Sequence, residues 1–180
     1  ASDVYKRQAF GDSITHHCRW QDTVGKLAGL EIGNGGMACD DTIIARKRLE
    51  SDVIALQPDL VLLLLGTNNS SATQAMTDLK YIIRRLRSAR INVIVCTILP
   101  RPQPERAVKL NRLLRQYCRQ EQILLHDWYE VMNDGNGNMK KEYGGDVHPN
   151  TRGIEVMARS FIENPVVKKF ILQSTERKDK

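Results

Sequence analysis

The sequence predicts an α/β fold: a three-layer α/β/α sandwich of flavodoxin-like type, with about five parallel strands. Two observations carry this prediction. Short apolar runs such as LVLLLLG (60–66) and INVIVCTIL (91–99) are closed by glycine or proline and are nearly continuous in Val, Ile and Leu. A strand buried on both faces has that character. Between such runs lie longer stretches of helical periodicity, and strict alternation of the two kinds implies a parallel sheet covered by helices on both sides.

The first strand leads into AFGDSIT (9–15). Upstream of Ala9, DVYKRQ (3–8) sets Lys6, Arg7 and Gln8 where Val, Ile or Leu belong in a central strand. Those six residues also resemble the translation of an adapter used in DNA sequencing libraries. Residues 1–8 are therefore expected to be a non-native or poorly fitting segment, with a single domain over 9–180. Next, HHCRWQDTVGKLAGL (16–30) spaces Trp20, Val24, Leu27 and Ala28 as a helix does, and Leu30 to Ile32 reads as a short extended piece running into GNGG (33–36). Residues 40–57 read as a helix, capped by Asp40 or Asp41 and stopped at Pro58.

After the strand at 60–66, residues 71–90 form an amphipathic helix with Leu79, Ile82, Ile83 and Leu86 inward and Arg84, Arg85, Arg87 and Arg90 toward water. The strand at 91–99 is ended by PRPQP (100–104). A helix over 104–121 turns Leu110, Leu113, Leu114 and Tyr117 inward, and ILLHDWY (123–129) reads as the last strand. A glycine- and asparagine-rich loop (133–145) then leads to DVHPN (146–150) and a closing helix from Thr151. Trp128 and Tyr129 either line a pocket with the loops at 101–105 and 129–145 or belong to the core, and the core is the expectation.

Composition narrows the function classes. A chain of 180 residues supports one well-buried core but not two ordinary domains. The net charge of +6 is spread along helices and only 6% of residues are aromatic, so no nucleic-acid partner is expected. Cys18, Cys39, Cys96 and Cys118 are scattered without CxxC or Cys/His spacing, which indicates neither a metal site nor a disulfide framework. No run of about 18 apolar residues exists to cross a membrane. No signal peptide is visible, but with a non-native start expected, localisation stays open.

In parallel sheets, ligands bind outside the carboxyl ends of the strands. GDSIT follows the first strand, GNGG the second, GTNN (66–69) the third, and DVHPN comes after the last. All four polar clusters therefore converge on one sheet edge. Ser13, on a strand-to-helix turn, would project at a helix N-terminus whose free N–H groups suit a developing oxyanion; alternatively, Asp12 or Ser13 merely caps that helix. A serine hydroxyl needs a base to become a nucleophile. His148 has an acid beside it on a loop, whereas His126 lies in a strand run and reads as structural. His16 and His17 are adjacent and cannot share one role. Gly36 can bring a backbone N–H close, and Asn68 offers a fixed neutral amide, although Gly and Asn also simply favour turns.

Taken together, these blocks resemble the SGNH (GDSL-type) hydrolase superfamily over nearly the whole chain from about Phe10. The resemblance implies Ser13 as nucleophile, His148 as base, and an oxyanion hole of Ser13 N–H, Gly36 N–H and the Asn68 side chain. It implies a serine esterase with a Ser-His-Asp acyl-enzyme mechanism, a small-molecule ester as partner, and no cofactor or metal. Three departures stand out. Asp146 is two residues before His148, where the family's acid is three before and Gly145 stands here; if it fails to reach, a Ser-His dyad remains. Cys39 occupies a position that is often glycine, and the first strand reads as truncated or replaced; Asn69 also stands where aspartate is commoner. Without a lid insertion, short acyl groups such as acetyl esters of carbohydrates are expected. The alternatives are a lysophospholipase- or thioesterase-type acyl hydrolase, an inactive glycan-binding module on the same fold, and a flavodoxin-like anion or nucleotide binder.

Overall fold

The computed structural model describes residues 6–173. Five strands, β1 (Arg7–Gly11), β2 (Gly33–Gly36), β3 (Leu60–Leu64), β4 (Asn92–Cys96) and β5 (Leu125–His126), form one parallel sheet in the order β2-β1-β3-β4-β5. This is the flavodoxin-like order. The chain starts beside the sheet's centre and winds outward both ways, so a crevice opens at the carboxyl ends of β1 and β3.

Side chains of successive strand residues alternate between two cores. Phe10, Val61, Leu63, Val93 and Val95 pack against α3 (Thr42–Asp52), α4 (Ala72–Ser88) and α5 (Glu105–Gln120). Ala9, Leu60, Leu62, Leu64, Ile94 and Cys96 pack against α2 (Trp20–Ala28), α7 (Thr151–Glu163) and α8 (Pro165–Gln173), with Ile14 of α1 (Ser13–Cys18) and Trp128 and Met132 of α6 (Trp128–Met132). Trp128 and Tyr129 are core residues. Helix starts follow the capping chemistry of the sequence. Asp41, not Asp40, caps α3, its Oδ1 accepting from the N–H groups of Ile43 and Ile44, each at 2.9 Å. Ser71 caps α4, and Asn150 caps α7.

Several elements differ from their sequence reading, each for a local reason. GNGG is not the sequel to the second strand but the strand itself: Gly33 to Gly36 pair with Gln8 to Gly11. Its pairing is backbone chemistry that no apolar pattern announces. A Cβ on Gly35 would meet Gln8 Nε2 at 2.6 Å, so close approach to β1 requires glycine there. The helix expected over 16–30 is split at Arg19, whose φ of 50° is left-handed. The helix from 40 stops at Asp52, followed by a 3-10 turn over Ile54–Leu56. In ILLHDWY only Leu125 and His126 are strand, because Asp127 caps α6 by accepting from Glu130 N–H.

The segment expected to fit poorly, 1–8, is described from Lys6 onward, and Val4 lies outside the described residues. Arg7 and Gln8 begin β1 and are buried, paired in register with Leu60 and Val61. Gln8 Nε2 donates to the carbonyl of Asp52 at 2.9 Å, while its Oε1 is buried without a partner. A polar strand residue is thus half satisfied, at a cost that an apolar residue would not incur.

Arg48, on α3, ties the sheet edge together. Its Nη2 donates to Gly11 O at 3.1 Å and its Nη1 to Gly35 O at 3.1 Å, the carbonyls at the carboxyl ends of β1 and β2. Its Nε donates to Asp40 Oδ2 at 2.9 Å, and Nη1 also reaches Asp52 at 3.2 Å. The guanidinium lies over the Phe10 ring, 4.3 Å from its centre. Asp40 is fully buried, and burial raises its pKa although Arg48 opposes the shift. Removing the cation would leave a buried, unpaired acid, a loss of about 3–5 kcal/mol. Arg48→Ala should therefore lower Tm by roughly 10 °C in calorimetry. A change of under about 2 °C would show that the cluster contributes little to stability.

Candidate active site

Ser13 opens α1 immediately beyond β1. Asp12 caps that helix: its backbone is extended, and its Oδ1 accepts from Ile14 N–H at 3.0 Å. As the first helical residue, Ser13 has an N–H with no intrahelical acceptor, and none bonds it among the described residues. A Cβ on Gly11 would meet Thr15 Oγ1 and the Leu64 carbonyl, so the turn from strand to helix is tight enough to demand glycine. Ser13 is thereby held at the sheet edge, half-buried.

His148 comes to it from the other end of the chain. Ser13 Oγ and His148 Nε2 are 2.9 Å apart, a hydrogen bond across 135 residues of sequence. The loop carrying His148 is closed by an antiparallel bridge between Gly144 and Pro149 and by Asn150 N–H donating to Tyr143 O at 2.8 Å. A Cβ on Gly144 would lie 2.5 Å from the His148 carbonyl, so this loop also needs a glycine. Asn150 then caps α7 through Gly153 N–H at 2.9 Å.

The same tight loop leaves Asp146 outside the pair. Gly145 and Asp146 lie between the bridged residues and are exposed, and no hydrogen bond or ion pair joins Asp146 to His148. Ser13 and His148 are brought together; Asp146 is not.

Of the remaining candidates, Asn68 is exposed at the end of β3, and its Nδ2 donates to Asp40 O at 2.8 Å. One amide hydrogen is engaged, and the other is available to a ligand. The neighbouring Asn69 is buried and structural: its Oδ1 accepts from Thr42 N–H and its Nδ2 donates to Thr42 Oγ1, which in turn donates to Asp78. Gly36 N–H already donates to Asn34 Oδ1 at 2.9 Å. Between Gly36 and Asp40, Cys39 has a φ of 60°, in the left-handed region that glycine favours, and its N–H bonds nothing among the described residues. His16 contacts Gly36 O through Nδ1 at 3.2 Å. His126 is buried against Ser160, and burial lowers its pKa to about 4, so it is a neutral core residue.

Electrostatically, the floor of the site is Asp12. Burial pushes its pKa up from 3.8 to about 6, with the Asp40 charge adding to the shift and the Ile14 N–H and Thr67 groups opposing it. Thr67 acts at short range without a well-aligned bond, since Asp12 Oδ2 and Thr67 Oγ1 are both buried and unpartnered. Asp40 and Arg48, which brace this floor, carried a single signal in the sequence: the doubled acid at 40 and 41, of which a helix cap uses one. Among the described residues no His, Cys, Asp or Glu cluster could hold a metal ion.

A hydroxyl hydrogen-bonded to an imidazole, beside free N–H donors, can perform acyl transfer. Comparison with known proteins agrees. No curated protein matches the chain. Among solved structures, it is similar to a GDSL-like lipase from Bacteroides thetaiotaomicron VPI-5482, with 22% identity over 92% of this chain and 89% of that one and a TM-score of 0.79. It is similar to the lipase/acylhydrolase from Enterococcus faecalis, with 22% identity over 93% and 96% and a TM-score of 0.76. An acetyl xylan esterase matches at 20% identity over 88% and 98%, with a TM-score of 0.74. These likenesses show the fold. Residues 9–156 match the model of the GDSL-like Lipase/Acylhydrolase family, so the chain belongs to that family and is an ester hydrolase.

Proposed function

We propose that the protein is a serine esterase that hydrolyses short-acyl carboxylic esters, acetyl esters of carbohydrates foremost, through an acyl-enzyme on Ser13. The observation that carries this is the 2.9 Å contact between Ser13 Oγ and His148 Nε2. His148 takes the hydroxyl proton as Oγ attacks the ester carbonyl carbon, and the carbonyl oxygen becomes an oxyanion. The Ser13 N–H and the free Asn68 amide hydrogen stabilise it. Collapse of this intermediate expels the alcohol, which takes the proton from His148. A water deprotonated by His148 then attacks the acyl-enzyme and releases the acid.

Two details depart from the resemblance-based expectation. With Gly36 N–H held by Asn34, the Cys39 N–H is the better third donor, in a turn that Asn68 anchors through the Asp40 carbonyl. With Asp146 unbonded among the described residues, Ser13 and His148 work as a dyad. Support for a short acyl group comes from the openness of the site, where His148 and Asn68 are both exposed, and from the likeness to an acetyl xylan esterase.

Hydrolysis of para-nitrophenyl acetate tests the reading. Ser13→Ala and His148→Ala should each lose on the order of a thousandfold in kcat. Asp146→Asn should lose less than about tenfold, and a loss equal to that of His148→Ala would restore the third member of a triad. Asn68→Ala should lose about 10²–10³ in kcat with little change in KM; an unchanged kcat would remove Asn68 from the oxyanion hole.

Asp12 supplies a pH test with a definite sign. Its folded pKa, about 6, exceeds the ordinary 3.8, so the folded chain holds this proton better than the unfolded chain does. This group's contribution to stability is therefore lost as pH rises through that window. Asp12→Asn keeps an acceptor for the Ile14 N–H and does not titrate. The Tm of the variant minus that of the wild type should grow from about pH 4 to about pH 7, and a flat or shrinking difference would contradict the buried acid.

A further inference from the structure

Two arginines beside the proposed oxyanion site have no acidic partner among the described residues. Arg101, through Nη1, and Arg106, through Nη2 at 3.0 Å, donate to the same acceptor, the backbone carbonyl of Thr67. Thr67 immediately precedes Asn68 in the chain. Three other half-buried or buried guanidinium groups meet carboxylates: Arg48 with Asp40, Arg85 with Glu50, Arg115 with Asp127. Neither Arg101 nor Arg106 forms an ion pair among the described residues. Arg101 adds only a long contact from Nε to Pro102 O at 3.5 Å.

A single neutral oxygen compensates poorly for two like charges held together. Their mutual repulsion and partial burial are visible in Arg106, whose pKa is lowered by desolvation and then by the Arg101 charge. The chain nevertheless holds them together on one carbonyl. Pro102 and Pro104 stiffen the segment between them, Arg101 N–H donates to Gly137 O at 3.2 Å, and a Cβ on Gly137 would lie 2.5 Å from Pro104 Cβ. Each guanidinium carries five N–H donors, most of them unspent here. Two preorganised forks with spare donors suit a carboxylate or phosphate, which would neutralise both at once.

We infer that Arg101 and Arg106 form an anion subsite next to the scissile ester, so that the preferred substrate carries a carboxylate or phosphate on its acyl or alcohol half. The inference rests on the esterase reading and narrows its substrate class. Both halves offer the same chemistry, and matched substrates separate them.

The decisive measurement is the ratio of kcat/KM for anionic over neutral esters, corrected with Ser13→Ala. One pair is mono(para-nitrophenyl) glutarate against para-nitrophenyl butyrate, with the charge on the acyl half. The other is para-acetoxybenzoate against its methyl ester, with the charge on the alcohol half. At least one ratio should exceed about tenfold, fall toward unity in Arg101→Gln and Arg106→Gln, and partly recover in Arg106→Lys. Arginines that merely brace the loop would lower both members of a pair alike and leave the ratio unmoved, which overturns the subsite. A second readout needs no turnover: glutarate and inorganic phosphate should raise the Tm of the wild type more than that of the Arg101→Gln/Arg106→Gln double variant. Should no ester be turned over at all, the esterase reading falls, and this thermal comparison still decides the subsite. Equal shifts in both proteins would overturn it.

Discussion

The buried pair of Arg48 and Asp40 is the constraint on which the sheet edge depends. At the carboxyl ends of β1 and β2 one guanidinium donates to a carbonyl of each strand, Gly11 O and Gly35 O, the former also accepting from Met37 N–H. The same cation neutralises Asp40, whose carbonyl in turn fixes the Asn68 amide. One side chain thus sets the relative positions of three loops: the turn into Ser13, the Met37–Asp41 turn and GTNN. A buried ion pair of this kind is weak evidence for stability, since apolar packing can do as well or better. Its role here is positional. Apolar residues of equal volume would fill the space without aligning the loops.

Asp12 is the second buried acid at that edge, and it serves a different end. As the cap of α1 it accepts from Ile14 N–H and so fixes the first turn of the helix, on which Ser13 stands. The cost is a carboxyl kept from water, visible as its raised pKa. Burying two acids within one edge is tolerable because one is paired with Arg48 and the other holds its proton more readily than usual.

Most of the fold was legible because its evidence was local. LVLLLLG read as a strand buried on both faces, and the doubled acid at 40 and 41 marked a helix start, although which of the two caps it was decided only in space. What resisted reading was backbone-driven. GNGG pairs as β2 through main-chain groups, without any side-chain alternation, and ILLHDWY is cut short by a cap that outweighs strand propensity. At the site, the meeting of Ser13 and His148 was legible from the order of their blocks along the sheet edge. Arg48, Arg101 and Arg106 were not, because a basic residue on a helix or in a proline-rich loop reads as solvated unless its partner is known. For Asp146, adjacency in sequence suggested contact, while in the fold it lies exposed between the bridged Gly144 and Pro149 without a bond to His148.

That bridge bears on how the protein would lose activity under heat. His148 is separated by one residue from Asn150, the cap of α7, so the imidazole and the start of a core helix share one turn. The bonds that hold the turn converge on Asn150, and the segment between its bridged residues is largely exposed. Fraying of the first turn of α7 would carry His148 away from Ser13 before either core opened. If His148 is the base, inactivation on heating would then be a local event, separable in temperature from the collapse of the sheet, and the hold of Asn150 on α7 would set where it begins.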